Sequence, residues 1–261
     1  MLNKTCDSSI LKPIIGNRLH FRCHKDIKCF NKCCADLNLL LTPYDILRIT
    51  DHLKISSDDF LDNFTDTRID ERSRFPMVYL RMKEDGNKPC PFVSRDGCTI
   101  YEHRPGACRI YPLGRATSKP DSQRDLTEQF FIVNETHCLG FNEDVEWTIN
   151  EWVENEGLKE YNEINDQWME IITSQKSLGN EDAFRKKMQM FYMASYNLDK
   201  FKNFLFKSSF FNLFDVDPAQ RVKMETDNKE LLKFSFCWLK FSLFGEKTLT
   251  LKADSQTPAR D

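Results

Sequence analysis

The fold of the first half of the chain is decided by the stretch CTIYEHRPGACRIYP, residues 98–112. It places Cys98 and Cys108 in a short segment that is stiffened by Pro105 and Pro112, because proline fixes the backbone angle φ. A metal site needs three or four thiolates or imidazoles at about 2.0 to 2.3 Å from one ion, so closely spaced cysteines on irregular backbone are its expected sequence form. The stretch therefore predicts a metal-binding segment.

Six further cysteines lie on either side of this stretch and complete a candidate ligand set. The eight members are Cys23, Cys29, Cys33, Cys34, Cys90, Cys98, Cys108 and Cys138. Eight thiolates would suffice for two four-thiolate sites, and the division between one site and two stays open. Neighbouring side chains on an extended backbone point to opposite sides, so Cys33 and Cys34 can face two different metals. Alternatively, one of the pair binds metal and the other packs in the core.

Histidines and basic residues accompany the cysteines. Any of four histidines can replace a thiolate, although a surface or supporting role is the more common one: His20, His24, His103 and His137. Four-thiolate sites carry about two negative charges, which nearby cations stabilise. The candidate cations are Arg22, Lys25, Lys28, Lys32, Arg104, Arg109 and Arg115.

Composition sets the broad class of the protein. The chain has 261 residues, 40% of them apolar, and a formal net charge of -3, which gives no basic excess and no expectation of a nucleic-acid partner. The N-terminus has no apolar leader and no stretch approaches a membrane span, so a cytoplasmic location is expected. Thiols stay reduced there, so the cysteines favour metal binding over a disulfide framework.

The patterns along the chain predict an α+β fold that is mostly α. We expect an irregular N-terminal arm at residues 1–20, an irregular cysteine-rich domain with short strands and helices at 21–140, helices at 141–252 and a disordered tail at 253–261. Cap residues begin helices at Thr42 and Ser56, and residues 77–82 predict a strand that forms a small hairpin with the second cysteine block. Later helices are expected at about 145–174, 181–193, 196–207 and 228–244.

The segment Lys229–Phe244 is rich in Phe, Leu and Trp. It is too short and too interrupted by lysine to span a bilayer. A helix buried against its neighbours is the first interpretation, and a docking surface for a protein partner is the alternative.

The sequence lacks the glycine-rich motifs of nucleotide-binding proteins and the serine motif of serine hydrolases. The nine glycines never form a phosphate-binding or dinucleotide fingerprint, and no G-x-S-x-G motif occurs. A nucleotide-binding unit or a serine hydrolase is therefore not expected.

The cysteine motifs resemble those of the YkgJ-type cysteine cluster proteins, also known as the CxxCxxCC zinc- or iron-chelating domain. The resemblance covers residues 21–140 and rests on Cys33-Cys34 with Leu41–Ile46, on Cys90-Pro91-Phe92 and on residues 98–112. The first block departs from the family pattern, since five and three residues separate its cysteines where the family has two and two.

The resemblance implies a metal-binding protein whose cofactor is an iron–sulfur cluster or a zinc ion. Eight thiolates in a basic surround suit an electron-transfer centre, so an iron–sulfur oxidoreductase or electron-transfer protein is the first activity expected. A flagellin lysine N-methylase is related to the family, so protein-lysine N-methylation is one alternative, and a zinc-stabilised interaction module is another. No catalytic residue is assigned.

Overall fold

The computed structural model describes residues 10–118 and 127–252. Its contacts divide the chain into two compact units. The first unit consists of the residues up to Leu37 together with Met82–Tyr161, and the second consists of Asn38–Arg81 together with the residues from Asn162 onward. Residues 38–81 therefore pack with the C-terminal helices, although they lie between the two cysteine blocks in sequence.

Helices and short strands alternate along the described residues. The helices are α1 (Pro43–Leu53), α2 (Ser57–Phe64), α3 (Gly106–Ile110), α4 (Ile149–Asn155), α5 (Leu158–Ile172), α6 (Glu181–Tyr196), α7 (Leu198–Lys207), α8 (Phe210–Leu213), α9 (Pro218–Thr226) and α10 (Asn228–Phe244). The strands are β1 (Leu11–Pro13), β2 (Arg18–His20), β3 (Leu40–Leu41), β4 (Thr65–Ile69), β5 (Pro76–Leu80), β6 (Val93–Ser94), β7 (Gly97–Cys98), β8 (Leu113–Ser118), β9 (Thr127–Val133), β10 (Glu146–Thr148), β11 (Phe214–Asp215) and β12 (Thr250–Leu251).

The first unit is built on small antiparallel sheets. Strands β1, β9 and β8 form one sheet in that order, β2 pairs with β10, and β6 pairs with β7. Phe21 follows β2 and is 2% exposed, with its ring packed edge to face against Tyr111, Phe141 and Trp152 at centroid distances of 5.9, 5.4 and 5.5 Å. This aromatic core fixes the backbone that leads directly into the first cysteine block.

The second unit combines a three-stranded sheet with helices. Its antiparallel sheet has the order β3, β5, β4. Thr42 and Asp45 form a reciprocal capping box at the start of α1, and the Ser56 side chain accepts from the Asp59 amide at the start of α2. Because these caps satisfy amides that the first turn of a helix leaves unpaired, the helices begin where the sequence predicts.

The fold class predicted from the sequence is confirmed, and so are several of its elements. Helices α1, α2 and α10 and strand β5 lie within a few residues of the expected ranges. The single continuous helix expected at about 145–174 is wrong. The structure has strand β10 followed by two helices, α4 and α5, which are separated by Gly157 with φ +61. Helix α9 was not predicted.

Two other expectations are corrected by strand pairing. The expected hairpin between residues 77–82 and the second cysteine block is wrong, since β5 pairs with β3 and β4, and β6 and β7 pair with each other. The N-terminal arm is not irregular over its described part, because β1 pairs with β9 and β2 with β10. The tail expected at 253–261 lies outside the described residues.

The apolar helix α10 is enclosed by the second unit. Eight of its side chains are buried, including Phe234, Phe236 and Trp238. The structure therefore agrees with the first interpretation of this segment, a helix buried against its neighbours. Among the described residues, no helix combines the length and apolar character that a membrane crossing requires.

Candidate metal centre

Backbone contacts bring the start of the first cysteine block to Cys138. The Arg22 amide donates to the Gly140 carbonyl at 3.1 Å, which places Cys23 beside the 138–140 turn. The Leu139 amide donates to Cys29 Sγ at 3.2 Å. Cys23, Cys29 and Cys138 therefore share one neighbourhood, although more than 100 residues separate Cys29 from Leu139.

A second set of backbone contacts joins the end of the first block to the second block. The Cys90 amide donates to the Cys34 carbonyl at 2.8 Å. The β6–β7 hairpin, whose register pairs Val93 with Cys98, then turns the chain back toward Cys90. The short helix α3 carries Cys108.

Cys33 and Cys34 are the junction between these neighbourhoods. Their sulfurs are 3.9 Å apart and share a hydrogen bond. The Cys34 thiol donates to Cys33, and this lowers the pKa of Cys33 to about 7 even though burial acts in the opposite direction. The same hydrogen bond, followed by burial, raises the pKa of Cys34 well above its usual value.

Electrostatic interactions between the thiols define two groups of four. Burial, followed by the neighbouring thiols of Cys33, Cys29 and Cys138, raises the pKa of Cys23 to about 11. Cys90 and Cys108 contribute to the raised pKa of Cys34, and Cys98 to that of Cys90. We define the first group as Cys23, Cys29, Cys33 and Cys138, and the second group as Cys34, Cys90, Cys98 and Cys108.

Backbone amides point at several of these sulfurs. Burial raises the pKa of Cys90, Cys98 and Cys138, and N–H groups two residues further along, on Phe92, Ile100 and Gly140, oppose that rise by hydrogen bonding to sulfur. Such amides stabilise the thiolate, which is the form that binds metal. These turns are therefore arranged to stabilise bound thiolates.

The tyrosine Tyr111 lies beside the first group. Its ring packs on Phe21, while burial and then the neighbouring Cys138 raise the pKa of its hydroxyl. The hydroxyl is the strongest of the influences that oppose the effect of burial on the pKa of Cys138. Tyr101, in contrast, is 55% exposed and contributes little shielding from water.

Three of the candidate histidines face carboxylates. His24 Nε2 lies 3.2 Å from Glu143, His20 Nε2 lies 3.6 Å from Glu146, and His137 Nε2 lies 3.5 Å from Glu135. His103 belongs to the turn Tyr101–His103. Histidines that pair with carboxylates in this way fit a supporting role better than a role in which they replace a thiolate as metal ligand.

Two arginines of the second block are buried, at 8% exposure each. Arg104 forms an ion pair with Glu156, and Arg109 Nη1 donates to the Glu156 carbonyl at 2.6 Å. Sequence reasoning predicted the arginines and missed Glu156, which lies 52 residues from Arg104. Nothing in the local sequence marks Glu156, since its partners are distant.

The donor chemistry of both groups fits zinc or an iron–sulfur cluster, because both consist of thiols alone. None of the cysteines in the described ranges is in a disulfide. Within residues 10–118 and 127–252, no three His, Cys, Asp or Glu side chains converge closely enough to hold a metal ion as they stand. Four sulfurs hold zinc at about 2.3 Å, so each group would have to draw together around an ion.

The cysteine-rich part of the chain is similar to a known protein family. Residues 22–139 match the model of the CxxCxxCC family, described as "Putative zinc- or iron-chelating domain". No curated protein and no solved structure matches the chain.

Proposed function

We propose that the protein, whose residues 22–139 match the model of the CxxCxxCC family of zinc- or iron-chelating domains, holds two metal centres, one in each group of four cysteines. The first centre uses Cys23, Cys29, Cys33 and Cys138. The second uses Cys34, Cys90, Cys98 and Cys108.

The observation that carries the proposal is the junction at Cys33 and Cys34. Their sulfurs are 3.9 Å apart, yet Cys33 interacts with Cys23 and Cys138 while Cys34 interacts with Cys90 and Cys108. A single tetrahedral ion takes only four sulfur ligands, so eight thiols that separate in this way suit two centres.

The chemistry of the centres depends on whether they hold zinc or iron–sulfur clusters. Zinc would crosslink the irregular segments of the first unit and stabilise its fold, whereas iron–sulfur clusters would supply one-electron transfer. The protein's own contribution is the same in both cases: the amides of Phe92, Ile100 and Gly140 stabilise thiolates, and the aromatic core around Phe21 holds the first block in place.

The test is metal analysis of the full chain purified without oxygen. We expect two zinc ions, or iron with matching acid-labile sulfide and an absorption band near about 400 nm. Cys138→Ser and Cys90→Ser should each remove one centre, and the double variant should remove both. Cys237→Ser is the matched control, because Cys237 lies on α10 in the second unit, outside both groups.

Two outcomes would contradict the proposal at different levels. Wild-type protein that holds less than half an equivalent of any transition metal contradicts metal binding itself. Complete loss of metal in either single variant contradicts the division into two centres and supports one shared site.

An iron–sulfur oxidoreductase is the activity we propose to test first, because two adjacent thiolate centres suit electron transfer. Reversible bleaching of the absorption band by dithionite would support it, and a colourless zinc protein would favour the interaction module. Protein-lysine N-methylation stays a prediction from family kinship, and failure to bind labelled S-adenosylmethionine would count against it.

A further inference from the structure

Cys33 and Cys34 are two thiols in direct contact. Their sulfurs lie 3.9 Å apart and share a hydrogen bond. Both residues are half-buried and neither is in a disulfide. Because the pair is not sealed in the core, a small water-soluble oxidant can reach two sulfurs that are already neighbours.

Backbone contacts tie this pair to both cysteine groups. The Lys32 amide, directly before Cys33, donates to the Cys29 carbonyl at 2.9 Å and closes a turn between two cysteines of the first group. The Cys90 amide donates to the Cys34 carbonyl at 2.8 Å and joins two cysteines of the second group. Chemistry that consumes the pair therefore takes one sulfur from each group.

The spacing of the pair determines the kind of disulfide that it can form. Neighbouring Cα atoms are about 3.8 Å apart, which is below the range of about 4.4 to 6.8 Å that most disulfides span. A disulfide between neighbours is therefore strained and more easily reduced than a structural one. Disulfides of this labile kind act as reversible, regulatory links.

We propose that Cys33 and Cys34 are a hydroperoxide-sensitive pair whose oxidation to a disulfide releases metal from both centres together. This inference rests on the proposed function, because it takes Cys33 as a ligand of the first centre and Cys34 as a ligand of the second. Structural zinc sites hold their ion with four ligands, so the loss of one thiolate opens the site and weakens binding.

The reaction consumes one hydroperoxide, ROOH, for each pair. One thiolate attacks the terminal oxygen, the O–O bond breaks, and the alkoxide leaves as ROH after taking a proton from water, which gives a sulfenic acid. The second thiolate attacks the sulfenic sulfur, the S–O bond breaks, and hydroxide leaves as water with a second proton from the solvent. Two electrons pass from the sulfurs to the peroxide oxygens, and a zinc ion leaves with its charge unchanged.

The experiment treats the zinc-loaded full chain with one equivalent of hydrogen peroxide and measures two products. Trypsin cleaves after Lys32 and Arg48 and at no position between them, so residues 33–48 leave as one peptide whose only cysteines are the pair. Mass spectrometry after alkylation shows whether this peptide resists alkylation and has lost two hydrogen atoms. A chromophoric chelator counts the zinc released. We expect two zinc ions for each disulfide, and a dithiol reductant with added zinc should restore both.

Two variants separate the pair from the other thiols. In Cys34→Ser protein the sulfenic acid has no partner thiol within the pair, so the peptide should contain no disulfide and a sulfenic-acid reagent should label Cys33. Cys237→Ser is the matched control, since Cys237 lies on α10 in the second unit, and it should give the wild-type result in both measurements. Circular dichroism before oxidation reports whether each variant is folded.

The outcomes distinguish failure of this inference from failure of the proposed function. A disulfide that joins Cys33 or Cys34 to any other cysteine overturns the inference, and so does release of one zinc ion for each disulfide. Zinc release while residues 33–48 stay reduced overturns it as well. Protein that holds no metal before oxidation rejects the proposed function instead. The same peptide measured in reduced, metal-free protein then decides whether the pair itself forms a disulfide.

Discussion

Removal of the Cys34 thiol should suppress the reactivity of its neighbour Cys33. In the metal-free protein the Cys34 thiol donates a hydrogen bond to Cys33 across 3.9 Å, and this bond is the main cause of the lowered pKa of Cys33. Cys34→Ala removes the donor and leaves burial, which raises the pKa, as the larger remaining effect. We therefore expect the pKa of Cys33 to rise to its ordinary value or above.

The expected change in reactivity follows from the fraction of thiolate, because the thiolate is the nucleophile. With a pKa of about 7, half of Cys33 is ionised at pH 7. With the ordinary value of 9.0, about 1% is ionised, so alkylation at pH 7 should slow by about fiftyfold. The midpoint of the pH profile should move upward by about two units.

The assay is iodoacetamide labelling of reduced, chelator-treated protein from pH 6 to pH 10, with each cysteine followed by peptide mass spectrometry. Cys237 is the internal control, since it lies in the second unit and its labelling should be the same in both proteins. Equal labelling of Cys33 at pH 7 in wild-type and Cys34→Ala protein would refute the hydrogen bond as the cause.

Three further outcomes are expected. Chelator treatment should increase amide hydrogen exchange in the first unit more than in the second, and equal exchange in both units would argue against a structural role for metal. The metal-free protein should lose stability to urea between pH 9 and about 11, because a thiol whose folded pKa is raised, such as Cys23 at about 11, keeps its proton in the fold while the unfolded chain loses it. Gly114→Ala should cost about 1 to 3 kcal/mol of unfolding free energy, since the added Cβ would lie 2.1 Å from the Phe131 ring. Gly86→Ala, with nothing within 4 Å of the added Cβ, should change the unfolding free energy by less than about 0.5 kcal/mol in the same urea titrations.

Local signals explain which elements of the fold were predictable. Thr42 and Ser56 carry the hydroxyls that cap α1 and α2, and the residues they pair with are only three positions away. Helix α10 was expected from its dense apolar pattern and begins at its cap Asp227. Helix α9 has little apolar content, with Met224 as its buried residue, so periodicity gave no signal for it.

The cysteine set was evident from sequence, but its arrangement was not. Spacing identified eight candidate ligands and left open whether they form one site or two. The division into groups depends on Cys29 lying beside Leu139 and on Cys34 lying beside Cys90. The assignment of all eight as ligands stays a prediction until metal analysis tests it.

By itself, the sequence identified the cysteines in Pro- and Gly-containing turns, the helices that begin at capping side chains, and an α+β fold. Those features depend on residues a few positions apart. The tertiary structure alone decided that Glu156 pairs with Arg104, that residues 38–81 pack with the C-terminal helices, and that Cys33 and Cys34 face different partners. Each of these depends on contacts between segments far apart in the chain, whose approach is set by burial of the whole apolar core and not by any local pattern.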